Sequence, residues 1–426
     1  MNHDNTMLEA MIPKGVKDFL PINAVKIEHL KSTLHQVFAQ WGFQPIAPPS
    51  LEFLHVLERG LSNELKNSTL RFDDRQSGHL LAFPSDITPQ INRIFATRMQ
   101  DAPLPQRLRY SCRVLRHTEQ QAGKDREVFQ SGVELIGKSD PGADAEMISI
   151  ALECLDTLGA PDYTIDIGQV EFYRGVLDAL NLTPAQIASL QNSILHKDSS
   201  GLKQQLEKLP VDTANCEEIM ALPRLFGGQD VLDRAAKVVT NDRSKRALDN
   251  LQQALQILDL NNDSKHITLD LGELRGLDYY TGITFQGFLT GYGQAVCLGG
   301  RYDNLTAEYG CAAPATGFAF NLLNLLFAMP RLLADAAQPG ADALIVSPQL
   351  NSKATHKLAR ALRQQGYSAC IGDYCAEDNL PYALKMNFRY LLTVSESGDQ
   401  TEVLSVNDNN SSQLSTSSLL DGSTTL

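Results

Sequence analysis

Val128-Phe129-Gln130-Ser131-Gly132-Val133-Glu134 is the stretch on which the reading of this chain turns. Its β-branched and aromatic residues, alternating with period two, predict a β-strand over Val128–Ile136. Successive side chains leave opposite faces of a strand, so Gln130, Gly132 and Glu134 share one face and Phe129, Ser131 and Val133 the other. An amide and a carboxylate separated by a glycine form a notch with polar walls, suited to an ammonium or an imidazole N–H. A solvated strand face carries the same pattern, and the strand alone leaves both readings open.

Immediately before it, Arg107–Arg116 reads as a second strand, and Arg113, Arg116, Lys124 and Arg126 gather around Gly123. A strand, a basic loop and a second strand could hold a phosphate or a carboxylate. A surface hairpin with scattered charge is the commoner use of such a run. Further out, Ile27, Leu30, Leu34, Val37, Phe38 and Trp41 recur at helical spacing, which predicts a helix over Ala24–Trp41 with Gly42 as its left-handed cap. Pro48-Pro49 opens an extended segment, and Leu80–Phe83 reads as a strand. A helix is expected over Asp144–Leu158, stopped by Gly159, and strands over Tyr163–Ile167, Ile267–Leu271 and Tyr279–Phe288.

Between about 172 and 265 the pattern becomes helices rich in Gln, Leu and Lys, which predicts an all-helical insertion within a mostly antiparallel sheet. Past Pro339-Gly340 strand and helix alternate (Leu344–Val346, Lys353–Gln365, Ser368–Ile371, Leu391–Val394), as in a small α/β unit. The end, from about Asn407, is dominated by Asn, Ser and Thr and is expected to be disordered. The expected organisation is a core over 1–330, a C-terminal domain over 340–406 and a polar tail over 407–426.

Composition bounds the function. The chain has 426 residues, a formal net charge of −13 and seven scattered cysteines without CxxC spacing. An odd set of cysteines suggests reduced thiols rather than disulfides or zinc, and no metal or cofactor is expected. The N-terminus lacks the basic and apolar regions of a signal peptide, and the longest apolar run, near Leu322–Met329, falls far short of a membrane span. A cytoplasmic protein with no membrane partner is the expectation. The acidic balance argues against broad contact with a phosphate backbone, and so against tRNA as a partner.

Two other stretches are harder to explain as scaffold. Leu274-Arg275-Gly276-Leu277-Asp278-Tyr279-Tyr280-Thr281-Gly282 sets a cation beside two tyrosines between glycines. Arginine can hold a carboxylate through two hydrogen bonds, and tyrosine can both pack and hydrogen-bond an imidazole. Gly299-Gly300-Arg301-Tyr302-Asp303 reads as another tight turn carrying a tyrosine.

At these residues the chain resembles histidyl-tRNA synthetases. Arg275–Gly282 (RGLDYYTG) is similar to their histidine-specific motif and Gly299–Asp303 (GGRYD) to a second stretch. Leu115–Gly137 is similar to the motif 2 hairpin, Ile12–Pro21 (IPKGVKDFLP) to the family's N-terminal segment, and Pro49 stands where motif 1 places a dimer-interface proline. The resemblance covers about residues 11 to 330. It implies an α+β fold, the class II synthetase-like antiparallel sheet flanked by helices, as a homodimer. It also implies a histidine pocket of Asp86, Thr88, Arg116, Gln130, Glu134, Arg275, Tyr279, Tyr280 and Tyr302. There carboxylates would take the α-ammonium, the tyrosines and Glu134 the imidazole, and Arg275 or Arg116 the carboxylate.

The nucleotide half departs from that pattern. Where the synthetases have Phe-Arg-x-Glu, this chain has Leu115-Arg116-His117-Thr118; where they close with Gly-Leu-Glu-Arg, it has Leu323 and Asn324 in place of glutamate and arginine. Loss of one such charge clamp costs about 3 kcal/mol or more of transition-state stabilisation. The C-terminal unit resembles a shortened anticodon-binding domain lacking its final strand-rich portion. Ser85–Gln90 (SDITPQ), Val114–Gln130 and Ile165–Phe172 (IDIGQVEF) are similar instead to the regulatory subunits of short-form ATP phosphoribosyltransferase. That resemblance implies no catalytic residues, assembly with a short catalytic subunit acting at the first step of histidine biosynthesis, and free histidine as effector. A divergent histidyl-tRNA synthetase and a scaffold with a fossil pocket remain as alternatives.

Overall fold

The computed structural model describes residues 12–117, 125–178, 180, 182–261, 263–273, 279–330, 340–349, 352–375 and 377–426. The chain divides into two compact units, Met1–Asp18 with Ile27–Leu332 and Phe19–Lys26 with Leu333–Leu426.

The larger unit is built on a nine-stranded sheet. In order across it run Gln44–Pro45, Gln106–Leu115, Glu127–Ile136, Ala315–Asn321, Cys297–Arg301, Ile283–Leu289, Tyr163–Gln169, Ile267–Asp270 and Phe226–Gly227. All neighbours are antiparallel except the pairs Gln44–Pro45 with Gln106–Leu115 and Tyr163–Gln169 with Ile267–Asp270. The long hairpin of Gln106–Leu115 and Glu127–Ile136 sets Tyr110 opposite Gly132 and Leu108 opposite Glu134. The helix Pro21–Gln40 buries Ile27, Leu30, Leu34, Val37 and Phe38, the expected stripe, and Gly42 adopts a left-handed φ of 82° beyond its end. Each such side chain contributes roughly 1.5–3 kcal/mol of burial. Pro141–Thr157 is buried along most of its length, with Gly159 left-handed at its end.

The insertion forms helices Val170–Asp178, Pro184–Leu195, Ser199–Leu206, Thr213–Ala221, Asp230–Val238 and Asp242–Leu260. It is not wholly helical. Phe226–Gly227 pairs with Asp270 and Leu269 and so adds a strand to the main sheet. Two residues are too few to carry a periodic signal. The strand expected from Tyr279 begins only at Ile283, because Tyr279 and Tyr280 line a cavity instead of joining the ladder. Gly299-Gly300-Arg301 is not a tight turn but part of the strand Cys297–Arg301; a Cβ on Gly300 would meet the Ile283 carbonyl oxygen, so glycine there permits close strand approach.

The smaller unit holds a five-stranded sheet in the order Ala369–Ile371, Ala343–Val346, Tyr390–Val394, Gln400–Ser405, Asn410–Ser415, the first three parallel and the rest antiparallel. The expectation of disorder from Asn407 is therefore corrected. Asn410–Ser415 pairs with Gln400–Ser405 along its whole length, the helix Thr416–Leu420 buries Leu419 completely, and the Thr401 and Thr416 hydroxyls meet at 2.9 Å. Backbone pairing does not depend on apolar composition, so a Ser-rich edge strand escapes a reading based on hydrophobic pattern. The portion after Val394 is likewise strand-rich rather than stripped of strands. Among the described residues no helix is long and apolar enough to cross a membrane, and no group of three His, Cys, Asp or Glu is placed to hold a metal ion.

Candidate functional site

The hairpin, the Cys297–Arg301 and Ala315–Asn321 strands and the N-terminal turn of the Thr88–Arg98 helix enclose a cavity of about 170 Å³. Its walls include Asp86, Thr88, Arg116, Gln130, Tyr279, Tyr280 and Tyr302. Seven of the nine residues implied by the sequence thus line one space. Glu134 lies directly behind them, and Arg275 lies outside the described residues, as do Thr118, Gly123 and Lys124.

Gln130 and Glu134 are not on a solvated face: they are 9% and 0% exposed. Gln130 donates through Nε2 to Asp86 Oδ1 (3.0 Å) and accepts from the Ile87 N–H (3.2 Å). Asp86 Oδ1 also accepts the Ile87 N–H at 2.9 Å, leaving Oδ2 without a partner among the described residues. Glu134 receives hydroxyl hydrogen bonds from Thr88 (2.7 Å), Tyr110 (3.2 Å) and Tyr302. A side chain at Gly317 would overlap the Glu134 carboxylate, and one at Gly132 would meet the Tyr110 hydroxyl and the Phe318 carbonyl, so both glycines clear the space the carboxylate needs.

Among the described residues Glu134 has three hydroxyl donors and no cation bonded to it. Burial, the larger effect, pushes its carboxyl up to about 8 against the hydroxyl hydrogen bonds, and the nearby Asp86 charge adds to the rise. The hydroxyls of Tyr110, Tyr279 and Tyr302 are pushed well above their ordinary range by burial and by the neighbouring carboxylates. The rings of Tyr279 and Tyr280 meet edge-on at 5.1 Å, and Tyr279 lies 5.4 Å from Tyr302. The Tyr279 hydroxyl is buried with no hydrogen-bond partner among the described residues. The arrangement offers two carboxylates, an amide and an aromatic slot to a small cationic or N–H-bearing ligand.

Arg116 donates through Nε to the Ser85 carbonyl (2.8 Å), which aims its guanidinium into the cavity with both terminal nitrogens unbonded to described residues. It is the one cation among the described residues lining the cavity. Arg113 behaves instead as ordinary hairpin charge, 65% exposed in its side chain, paired with Glu127 and stacked on the Phe129 ring at 4.2 Å. At the far end Asn324 donates to the Ala295 carbonyl (2.7 Å) and accepts from the Tyr292 hydroxyl (3.2 Å), while Leu323 is buried at 3% exposure. Position 324, where the resemblance to the synthetases leads one to expect an arginine, carries a neutral amide already engaged by its neighbours.

Tyr110 is the residue that sequence reasoning missed. The signal was available: antiparallel pairing of the two hairpin strands sets Tyr110 beside the Gly132 notch. The lining supplied by Ala295–Gly299 had no comparable signal, because its backbone and small side chains are brought in by the sheet order.

Over 425 residues and 99% of each chain, this sequence is 56% identical to the ATP phosphoribosyltransferase regulatory subunit of Syntrophotalea carbinolica. The chain belongs to the family of ATP phosphoribosyltransferase regulatory subunits. The family member of Geobacter sulfurreducens is 51% identical over 93% of this chain and 90% of its own. Residues 15–325 match the histidyl-tRNA synthetase family model. A crystal structure described as an ATP phosphoribosyltransferase regulatory subunit/histidyl-tRNA synthetase from Bacillus halodurans superposes with a TM-score of 0.79 at 25% identity, covering 91% of this chain and 98% of that one. Histidyl-tRNA synthetase from Nostoc superposes at 0.80 with 22% identity over 97% and 98%, a likeness of fold. The class II synthetase-like α+β architecture expected from the sequence is the one found.

Proposed function

We propose that this regulatory subunit carries the histidine response of its enzyme in the cavity around Glu134. Asp86 and Gln130 take the α-ammonium; Glu134, Tyr280 and Tyr302 take the imidazole; Arg116, with Arg275, takes the carboxylate. Thr88 orients Glu134, and Tyr279 closes the slot. The observation that carries this reading is the asymmetry of the cavity, which joins a polar amino-acid end to a far end whose aligned cation is an engaged amide. The chain performs no catalysis of its own. It assembles as a homodimer through the synthetase-like core and joins a short catalytic subunit of ATP phosphoribosyltransferase in the cytoplasm, without tRNA. Histidine favours one arrangement of that assembly, with a coupling of about 1–3 kcal/mol.

Reconstitution tests this. The catalytic subunit is expected to gain activity when this chain is added and to lose it as histidine rises. With Glu134→Ala the histidine response should weaken at least tenfold in concentration. A response unchanged by Glu134→Ala would remove the pocket from regulation. The synthetase reading is favoured by the match of residues 15–325 to the synthetase family model. Histidine-dependent exchange of pyrophosphate into ATP separates the two readings, since only an adenylating enzyme shows it.

A further inference from the structure

Among the described residues three non-glycine positions have positive φ: Lys197, Asn387 and Asn409. Asparagine adopts that conformation readily; lysine seldom does. Lys197, at φ 54°, follows the helix Pro184–Leu195 in a position where glycine is the usual choice. Its N–H bonds the Ile194 carbonyl (3.0 Å), and the Asp198 N–H bonds that of Ser193 (2.9 Å), which together close the helix end. The side chain shows what a glycine would lack. Lys197 Nζ meets Asp270 Oδ2 at 2.7 Å and lies over the Phe226 ring, 4.4 Å from its centroid.

Asp270 and Phe226 belong to the strands by which the insertion rejoins the sheet. Phe226 pairs with Asp270, the Leu271 N–H bonds the Leu225 carbonyl (3.0 Å), and a Cβ on Gly272 would stand 2.7 Å from the Leu222 carbonyl oxygen. From Asp270 contacts run through Gly168 and Thr284 to Gly300, where a Cβ would lie 3.0 Å from the ring of Tyr280 in the cavity wall. Gly168 packs so closely that a Cβ there would lie 3.3 Å from the Asp270 carbonyl oxygen and 2.9 Å from Thr284 Oγ1, and Gly168 pairs with Thr284 in the sheet. At the insertion's other root, the Val170 N–H bonds the Gly282 carbonyl (3.0 Å). Next to Gly282, the Thr281 N–H bonds the Arg301 carbonyl (2.7 Å) and Thr281 Oγ1 accepts the Asp303 N–H (2.8 Å), fixing Tyr280 and Tyr302 together. Both roots of the insertion therefore contact the segment around Gly282 and Thr284, immediately after Tyr280.

We propose that Lys197 is a positioning residue that couples the helical insertion to the ligand pocket: ordering of the tyrosines on histidine binding tightens the Lys197–Asp270 clasp and quiets the helices Pro184–Leu195 and Ser199–Leu206. This rests on the pocket being a histidine site. Glycine would take this backbone at no steric cost, but it would lack the ammonium that adds a side-chain tie from the insertion to Asp270 and Phe226.

Hydrogen–deuterium exchange of the intact chain, with and without histidine, tests it. The expected result is slower exchange on histidine binding in two places, the pocket strands around 127–136 and 283–289 and the helices over 184–206. Lys197→Gly relieves the left-handed backbone and should melt no lower than the parent, yet lose the change over 184–206 while keeping that at the pocket. Asp270→Asn, which retains an acceptor for the Gly272 N–H, should do the same. Protection confined to the pocket in the parent, or a change over 184–206 that survives Lys197→Gly, overturns the coupling while leaving the pocket assignment intact. No protection at either place overturns the pocket assignment and the coupling with it.

Discussion

Glu134 concentrates the chemistry at the residue scale. A carboxyl raised by burial to about 8 from an ordinary 4.5 keeps a proton in the folded chain that the unfolded chain has already released. Stability of the empty protein therefore declines as pH rises from 4.5 through 8, by at most about 1.4 kcal/mol per pH unit. Denaturant melts across that window should show the decline, and Glu134→Gln should flatten it; equal slopes in both proteins would place the carboxyl's titration elsewhere. Ligand entry acts in the opposite sense. An imidazole N–H and an ammonium brought beside Glu134 and Asp86 favour the ionised form, so histidine binding near pH 7 should release protons to buffer. Titration calorimetry in buffers of different ionisation enthalpy reads that release, which Glu134→Gln should abolish. Gln130 and Glu134 were legible in the sequence because strand alternation fixes a shared face. Their burial was not, since that depends on the Ala315–Asn321 strand and on Thr88, residues distant in the chain.

Elements with a strong period of their own were legible to within a few residues: the Pro21–Gln40 helix, the hairpin and the Tyr163–Gln169 strand all fall where spacing puts them. Those that form by backbone pairing were not, notably Phe226–Gly227 and Asn410–Ser415. The second case has a direct test. Truncation after Asp408 removes an edge strand and the fully buried Leu419, and should destabilise the C-terminal sheet on the order of 3 kcal/mol or more. Limited proteolysis or exchange of the Tyr390–Val394 strand would report it, and unchanged protection there would mean that the tail adds nothing. Within the core, Gly317→Ala forces a methyl against the Glu134 carboxylate and should cost about 1–3 kcal/mol along with the pocket's geometry.

Over the whole molecule the formal net charge is −13, and the cavity holds one cation among its described residues. Among the described residues the cavity thus keeps the carboxylates, amide and tyrosines of one end, while its far end carries Asn324, a neutral amide. Family membership assigns the chain to regulation; the cavity suggests what it senses. Calorimetric titration of the purified chain with histidine bears on this most directly. The expected result is saturable binding of one histidine per chain, lost in both Glu134→Ala and Arg116→Ala, with ATP neither required nor consumed. Binding that survives both substitutions unchanged, or no binding to the chain alone and in its assembly, would contradict it.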